Sequence, residues 1–408
     1  MGQLSVWHDI RDLPPVRWHE PNNAAAWPLS RGVDAGRVRA AVRAMVTRHP
    51  SLRTRYDLHD AEAPGQLPPD AHCHDELPVI EGGDAEPESI AAELAAEPFD
   101  LGREHGWRAR LLTRDGTASH LLFIKHHIVA DAWAQELLRQ EFQQALTDSV
   151  GLGPTPPGPA ELAAEQHTPA GLRRQAAALD HWAQLLDRAP AAALPGAVGA
   201  RGDVVQGTMH SAPARAAAHT VADRAGVSVS SVILAAYACG VARACGTDSL
   251  LVQLMSANRF SSRWKNLVTS MNQWVPALIE DAREGDLGML ARAVHWSGLT
   301  AFRHGMHDVT AVAALLARRP DAPEPACAFN YVAVPENAPH RAGGPVPDSA
   351  PAITWEEPFT TIGPRCYARA SENAHSLSVR LTAKDLSRAQ CAALLWDLHD
   401  TLLTAAER

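Results

Sequence analysis

His126-His127-Ile128-Val129-Ala130-Asp131-Ala132-Trp133 is the stretch on which the reading of this chain turns. It follows Leu121-Leu122-Phe123-Ile124, an apolar run that reads as a buried strand. It precedes Trp133 to Leu146, where Trp133, Leu137, Leu138, Phe142 and Ala145 recur at helical spacing. Strand side chains alternate faces, so His126 and His127 point in opposite directions and one imidazole faces a given cleft. The pattern thus offers one candidate base, the other histidine being a packed support. A His-His pair alone also fits a plain strand end, so the rest of the chain must decide.

The chain has 408 residues, enough for two lobes with separate cores, and its 46% hydrophobic and 20% charged content is that of a soluble globular protein. A formal charge of -9 argues against nonspecific nucleic-acid binding, which needs cationic surface. Arg48, Arg53 and Arg55 leave room for a local basic patch, as do the adjacent Arg318 and Arg319. No apolar run of membrane-spanning length is present, and the N-terminus lacks the basic start and apolar core of a secretory signal. Six cysteines with no CxxC pair read as reduced thiols of a cytoplasmic protein.

Asp34 can cap a helix to Arg48, which His49-Pro50 ends, and Leu52 to Tyr56 reads as the entry to a strand. Residues 59–88 read as loop around a short strand at Leu77 to Ile80. Arg108 to Leu112 and His120 to Lys125 form a strand pair turned at Asp115-Gly116. The Pro/Gly run from Gly151 to Pro159 is exposed loop, and a helix runs from Thr168-Pro169 to Arg188. Beyond an Ala/Pro/Gly-rich stretch at 189–202, Ser228 caps a helix to Cys245 that Gly246 ends. Ser249 to Met255 and Trp274 to Ile279 read as strands about a polar loop, and Asp286 opens a helix to Phe302. Ala326 to Val332 and Ser376 to Leu381 are further strands, and Leu386 to Leu403 is a closing helix. Strands and helices mixed in both halves indicate an α/β fold. The expected division is an N-terminal lobe at 1–165, a linker and crossover helix at 166–200, and a C-terminal lobe at 201–408.

His126-His127-x-x-x-Asp131 with Ala132 resembles the HHxxxDG signature of nonribosomal peptide synthetase condensation domains, within the chloramphenicol acetyltransferase-like superfamily. Further segments agree in order. Arg48 to Tyr56 (RHPSLRTRY) resembles the RHxxLRTxF block. Gly226 to Arg259 resembles the helix, strand and terminal Asn-Arg of the second lobe, and Val268 to Pro276 (VTSMNQWVP) resembles VGxFxNxLP. Phe329-Asn330-Tyr331 resembles a strand near the active-site tunnel. The likeness covers roughly residues 25 to 405. Ala132 stands where the family has glycine, Thr269, Met271 and Gln273 depart from the later motif, and the family's N-terminal block is poorly represented.

The resemblance implies two acetyltransferase-like lobes forming a V-shaped pseudo-dimer with a central tunnel. It places His127 as the catalytic base, with His126 structural or lining the tunnel. Asp131 would be the ion-pair partner of Arg259, fixing the loop that carries His127. Asn330 and Gln273 are the candidates for hydrogen-bonding the oxyanion or acceptor. Trp133 reads as core first and substrate contact second. The implied reaction joins an acyl or aminoacyl thioester on a carrier protein to a soluble amine or alcohol in specialised-metabolite (antibiotic) biosynthesis. No adenylation or carrier segment is read, which points to a free-standing enzyme. An acyl-CoA-dependent O-acyltransferase and a catalytically silent recruitment module are the alternatives. No cofactor is expected beyond the phosphopantetheine or CoA that carries the donor. Nucleotide loops and a Ser-centred nucleophile elbow are absent from the sequence, and His72-Cys73-His74-Asp75 reads as a solvated turn rather than a metal site.

Overall fold

The computed structural model describes residues 1–60, 63–71, 76–147, 152–190, 204–283, 285–333, 350–358, 360, 362–384 and 386–408. The His72 to Asp75 cluster lies outside them. The chain divides into two compact units: residues 1–174 with 257–272, and residues 175–256 with 273–408. The sequence reading put 257–272 in the C-terminal lobe and a linker at 166–200. Instead, the segment between two strands of the second unit belongs with the first, where Arg259 makes its ion pair with Asp131.

The first unit contains helices α1 (Gly2–Ile10), α2 (Ala35–Arg48), α3 (Pro87–Ala95), α4 (Ala132–Thr147) and α5 (Pro159–Gln166). Its strands are β1 (Asn22–Pro28), β2 (Tyr56–Asp57), β3 (Gly65–Gln66), β4 (Val79–Glu81), β5 (Trp107–Arg114) and β6 (Thr117–His126). Its main sheet runs β1-β6-β5-β4, with β6 antiparallel to both neighbours. A central strand covered on both faces needs a continuous apolar run, which is why Leu121 to Ile124 are all buried. The β5–β6 turn places Asp115 at φ 51° and Gly116 at φ 71°, the two positive angles that Asp-Gly supplies in a tight hairpin.

Asp34 caps α2, accepting from Arg37 N at 3.1 Å, and Val38, Val42, Met45 and Val46 form its buried face. The strand expected from Leu52 is instead a short helical turn, Pro50–Arg53, because Pro50 fixes φ at a first helical position. The arginines nearby are used internally. Arg48 and His49 both meet the buried Glu141 of α4, at 3.1 and 2.6 Å. Arg53 donates to main-chain carbonyls, and Arg55 pairs with Asp70 at 3.1 Å.

Helix α6 (Pro169–Arg188) begins in the first unit and ends in the second. The second unit holds helices α7 (Ala212–Ala225), α8 (Val229–Cys245), α9 (Leu287–Arg303), α10 (Val309–Ala317) and α11 (Arg388–Glu407). Its strands are β7 (Val205–Ser211), β8 (Leu250–Ser256), β9 (Gln273–Ile279), β10 (Cys327–Ala333), β11 (Ala352–Glu356), β12 (Cys366–Glu372) and β13 (Leu377–Ala383). They form one sheet ordered β11-β7-β13-β12-β10-β8-β9, parallel across β8, β10 and β12. Helix α8 is buried without a break from Ser231 to Ala242, which explains its alanine-rich composition. The described cysteines are all free thiols. Among the described residues no single helix is long and apolar enough to cross a membrane.

Candidate active site

Strand β6 ends at His126, and the following turn brings His127 out of the sheet. The two histidines differ in burial. His126 is fully buried, its Nδ1 accepting from Ile128 N at 3.1 Å, whereas His127 is partly exposed. The His126 amide donates to Gly106 O at 2.8 Å. A Cβ on Gly106 would stand 2.7 Å from Val129 Cγ2 and 2.9 Å from Leu101 Cδ2, so this crossing needs glycine.

Asp131 closes the turn. Its Oδ1 accepts from Ala134 N at 2.9 Å, capping α4. Its Oδ2 accepts from Arg259 Nη1 at 2.6 Å and from Met271 N at 3.0 Å. The ion pair implied by the resemblance is therefore present, with both side chains about 2–3% exposed. Burial pushes the Asp131 carboxyl up, but the Arg259 charge and the hydrogen bonds outweigh it, and the group sits below its ordinary range. Arg259 also donates to Leu267 O and Thr269 O, at 3.4 and 3.0 Å. Asn258, in the left-handed region at φ 56°, donates to Met271 O at 2.8 Å and so sets the approach of Arg259. Three structural partners, Ala134 N, Arg259 and Met271 N, hold the Asp131 carboxylate. Ala132 opens α4 without a positive φ, so alanine replaces the family glycine without backbone strain.

Lys125, 1% exposed, reaches back to donate to Ala130 O and brackets the turn from the strand side. Burial lowers its pKa to about 8, partly offset by Asp131. The His127 pKa falls to about 4, through burial first and the Lys125 charge second, with Asp131 opposing. Its imidazole is thus neutral at pH 7.

The tautomer follows from a hydrogen-bond chain. Ser270 Oγ donates its one proton to Asn272 Oδ1 at 3.1 Å, and His127 Nδ1 lies 3.2 Å from the same Oγ. The serine oxygen is then an acceptor, so Nδ1 carries the ring proton and Nε2 keeps its lone pair. Among the described residues Nε2 has no protein partner. Sequence reading missed Ser270, although it lies inside the quoted VTSMNQWVP segment; a serine among departures from a motif carried no signal of its own. Replacing Ser270 with alanine removes one hydrogen bond, and kcat is expected to fall roughly three- to tenfold with the melting temperature unchanged.

Sequence reading also missed α1. Gln3 Nε2 donates to Ile128 O at 3.1 Å, and a Cβ on Gly2 would lie 2.6 Å from Met271 Cα. The N-terminal helix therefore packs on the Ser270–Met271 main chain and on the histidine turn.

Trp133, Gln273 and Asn330 make the following contacts. Trp133 is 47% exposed, its Nε1 donating to Lys265 O at 3.1 Å. The buried stripe of α4 runs through Ala134, Leu138, Glu141 and Phe142, which leaves Trp133 at its edge and not in the core. Gln273, in the second unit, spends its amide on the His307 main chain. Nε2 donates to His307 O at 2.8 Å and Oε1 accepts from His307 N at 3.3 Å. It clamps the His307 main chain from both ends of its amide. Asn330, on β10, donates to Tyr367 Oη at 3.2 Å.

A chloramphenicol acetyltransferase-like α/β fold carrying an HHxxxD turn is what these features define. The Condensation domain family matches residues 19–332, and the chain belongs to that family of acyl and peptidyl transferases. It is 27% identical over 281 residues, 64% of this chain, to the nonribosomal peptide synthetase kk1B of Curvularia clavata. The chain spans between 1% and 6% of the length of such curated synthetases. A structure described as the molecular basis for condensation domain-mediated chain release from the enacyloxin polyketide synthase superposes with TM-score 0.79. Its identity is 23%, over 98% of this chain and 80% of that one. SgcC5 of Streptomyces globisporus superposes with TM-score 0.69 at 20% identity, over 97% and 99% of the two chains. At these identities the structural likeness carries the fold alone.

Proposed function

We propose that this protein transfers an acyl or aminoacyl group from a carrier-protein thioester to a soluble amine or alcohol, with His127 as the base. The observation that carries the reading is the setting of His127: its Nδ1 lies 3.2 Å from Ser270 Oγ, which donates to Asn272, and among the described residues its Nε2 has no protein partner. The nucleophile attacks the thioester carbonyl while its proton passes to Nε2. The tetrahedral intermediate then collapses, the carbon–sulfur bond breaks, and the proton on Nε2 goes to the departing thiolate. The net change is one amide or ester formed and one thiol released. Asp131, Arg259 and Lys125 fix the turn and do not touch the reacting atoms. His126 supports the turn from inside the core, and Asn330 remains the candidate substrate contact.

Matched donors test this reading. Incubation with carrier-loaded and CoA-loaded acyl groups and a panel of amines and alcohols, read by mass spectrometry, should give product from the carrier-loaded donor. Product from CoA alone would replace it with an acyl-CoA O-acyltransferase; no product from any pair would favour a silent recruitment role.

The pKa of His127 sets the acid limb. The base works when neutral, so kcat/KM is expected to stay level from pH 8 to about pH 5 and to fall as pH passes through about 4. A limb near the ordinary histidine value of about 6.5 would contradict it. Folding stability follows the same sign. Between about 6.5 and about 4 the unfolded chain takes up protons that folded His127 refuses, so stability declines with acidity across that window. Circular dichroism at each pH separates the two effects.

A further inference from the structure

We propose that the second unit carries a binding site for a neutral aliphatic molecule bearing one hydrogen-bonding group, between the start of α8 and the middle of α9. A cavity of about 210 Å³ lies there, bounded by Leu254 of β8, Phe329 of β10, Leu234 of α8 and Phe302 of α9. One water needs ~10–15 Å³ of such space, so this cavity takes a ligand of several carbons.

Its polar side is a chain of hydroxyls. Ser228 Oγ lies 2.9 Å from Ser230 Oγ and 2.8 Å from Ser231 Oγ, and Ser231 Oγ lies 3.1 Å from His295 Nδ1. Hydroxyls donate and accept alike, so they suit a carbonyl or a hydroxyl on the ligand. No lysine, arginine or carboxylate is among the described residues lining the cavity, which is why the ligand it fits is uncharged.

Gly298 supplies the second argument. It sits inside α9 with no positive φ, and a Cβ there would stand 3.6 Å from Leu254 Cδ1 and 3.9 Å from Phe302 Cε2, in ordinary contact. Neither a turn nor a close backbone approach calls for glycine, yet glycine inside a helix is less stable than alanine. What the missing side chain does is keep the cavity wide. Apolar surface borders it: Leu299, in its lining, is 41% exposed, and Trp296, edge-on to His295 at 5.7 Å, is 68% exposed. Medium-length acyl amides, esters and thioesters belong to the ligand class described. A role for the site in acyl transfer rests on the function proposed above, whereas the binding itself does not.

Methionine-methyl NMR on the full chain tests the binding, because Met255 lines the cavity while Met45 and Met209 are buried in the two cores. Titration with hexanamide should shift the Met255 methyl saturably and leave Met45 and Met209 in place. Gly298→Leu fills the cavity and should weaken hexanamide by roughly tenfold or more, with the native melting temperature retained. Should that variant misfold, Ser231→Ala decides, removing the hydroxyl without filling the cavity and again weakening hexanamide. An unmoved Met255 signal, or a folded variant that binds as the native protein does, overturns the proposal. No transfer assay enters this test, so its failure would leave the acyl-transfer reading standing, and the reverse.

Discussion

His127→Ala is expected to lower kcat/KM for an alcohol acceptor by ~100- to 10,000-fold, the range that a positioned general base supplies. An alcohol is a poor nucleophile until its proton begins to leave, and Nε2 of His127, which has no protein partner among the described residues, is the proposed acceptor. A free amine is already nucleophilic, so its loss should be smaller, the remainder of the acceleration coming from alignment of the two substrates. The measurement is product formation by mass spectrometry across both acceptor classes. Equal rates for variant and native protein on alcohols would show that the imidazole takes no proton. The fold should survive, because His127 is partly exposed and, among the described residues, its ring makes one side-chain hydrogen bond, to Ser270.

The second large effect is structural. Asp131→Ala leaves the Arg259 guanidinium, 2% exposed, without its counter-charge and strips a partner from Ala134 N and Met271 N. Stranding a buried charge costs about 3–5 kcal/mol. At about 2–4 °C per kcal/mol for a domain of 150–250 residues, the melting temperature should fall by about 6–20 °C. Because the same carboxylate joins the histidine turn to the 257–272 segment, activity should fall with stability. The double variant Asp131→Leu, Arg259→Met separates the two. Removing both charges should restore most of the stability while the rate stays low, since the turn has lost its anchor. A double variant with native activity would show that the pair is not a positioning device.

Much of this arrangement is legible in the residues because it is local. The apolar run of β6 marks a central strand, and Asp34, Ser228 and Asp286 announce their helices through cap chemistry, whereas His127 is set apart from His126 by a turn and not by strand alternation. The Asp131–Arg259 pair, 128 positions apart, was reachable through motif resemblance and through nothing in the spacing itself. What escaped is long-range or lacks pattern. Helix α1 is short and mixed in polarity, and its significance lies in Gln3 and Gly2 meeting main chain far along the sequence. Trp133 has helical spacing with Leu137, but the packed stripe of α4 runs one residue over, through Ala134 and Leu138. Gln273 looked available for a ligand because the His307 main chain that occupies it is 34 residues away. Strands β7, β11 and β12 carry alternating or small residues that a reading keyed to apolar runs passes over.

Nitrogen-15 spectra of histidine-labelled protein bear most directly on the base assigned here, with the His127 signals identified by their loss in His127→Gln. At pH 7 the ring should be neutral, with the proton on Nδ1 and Nε2 bare, and that pattern should persist to about pH 5. A proton on Nε2, or a charged ring at pH 7, would contradict the account.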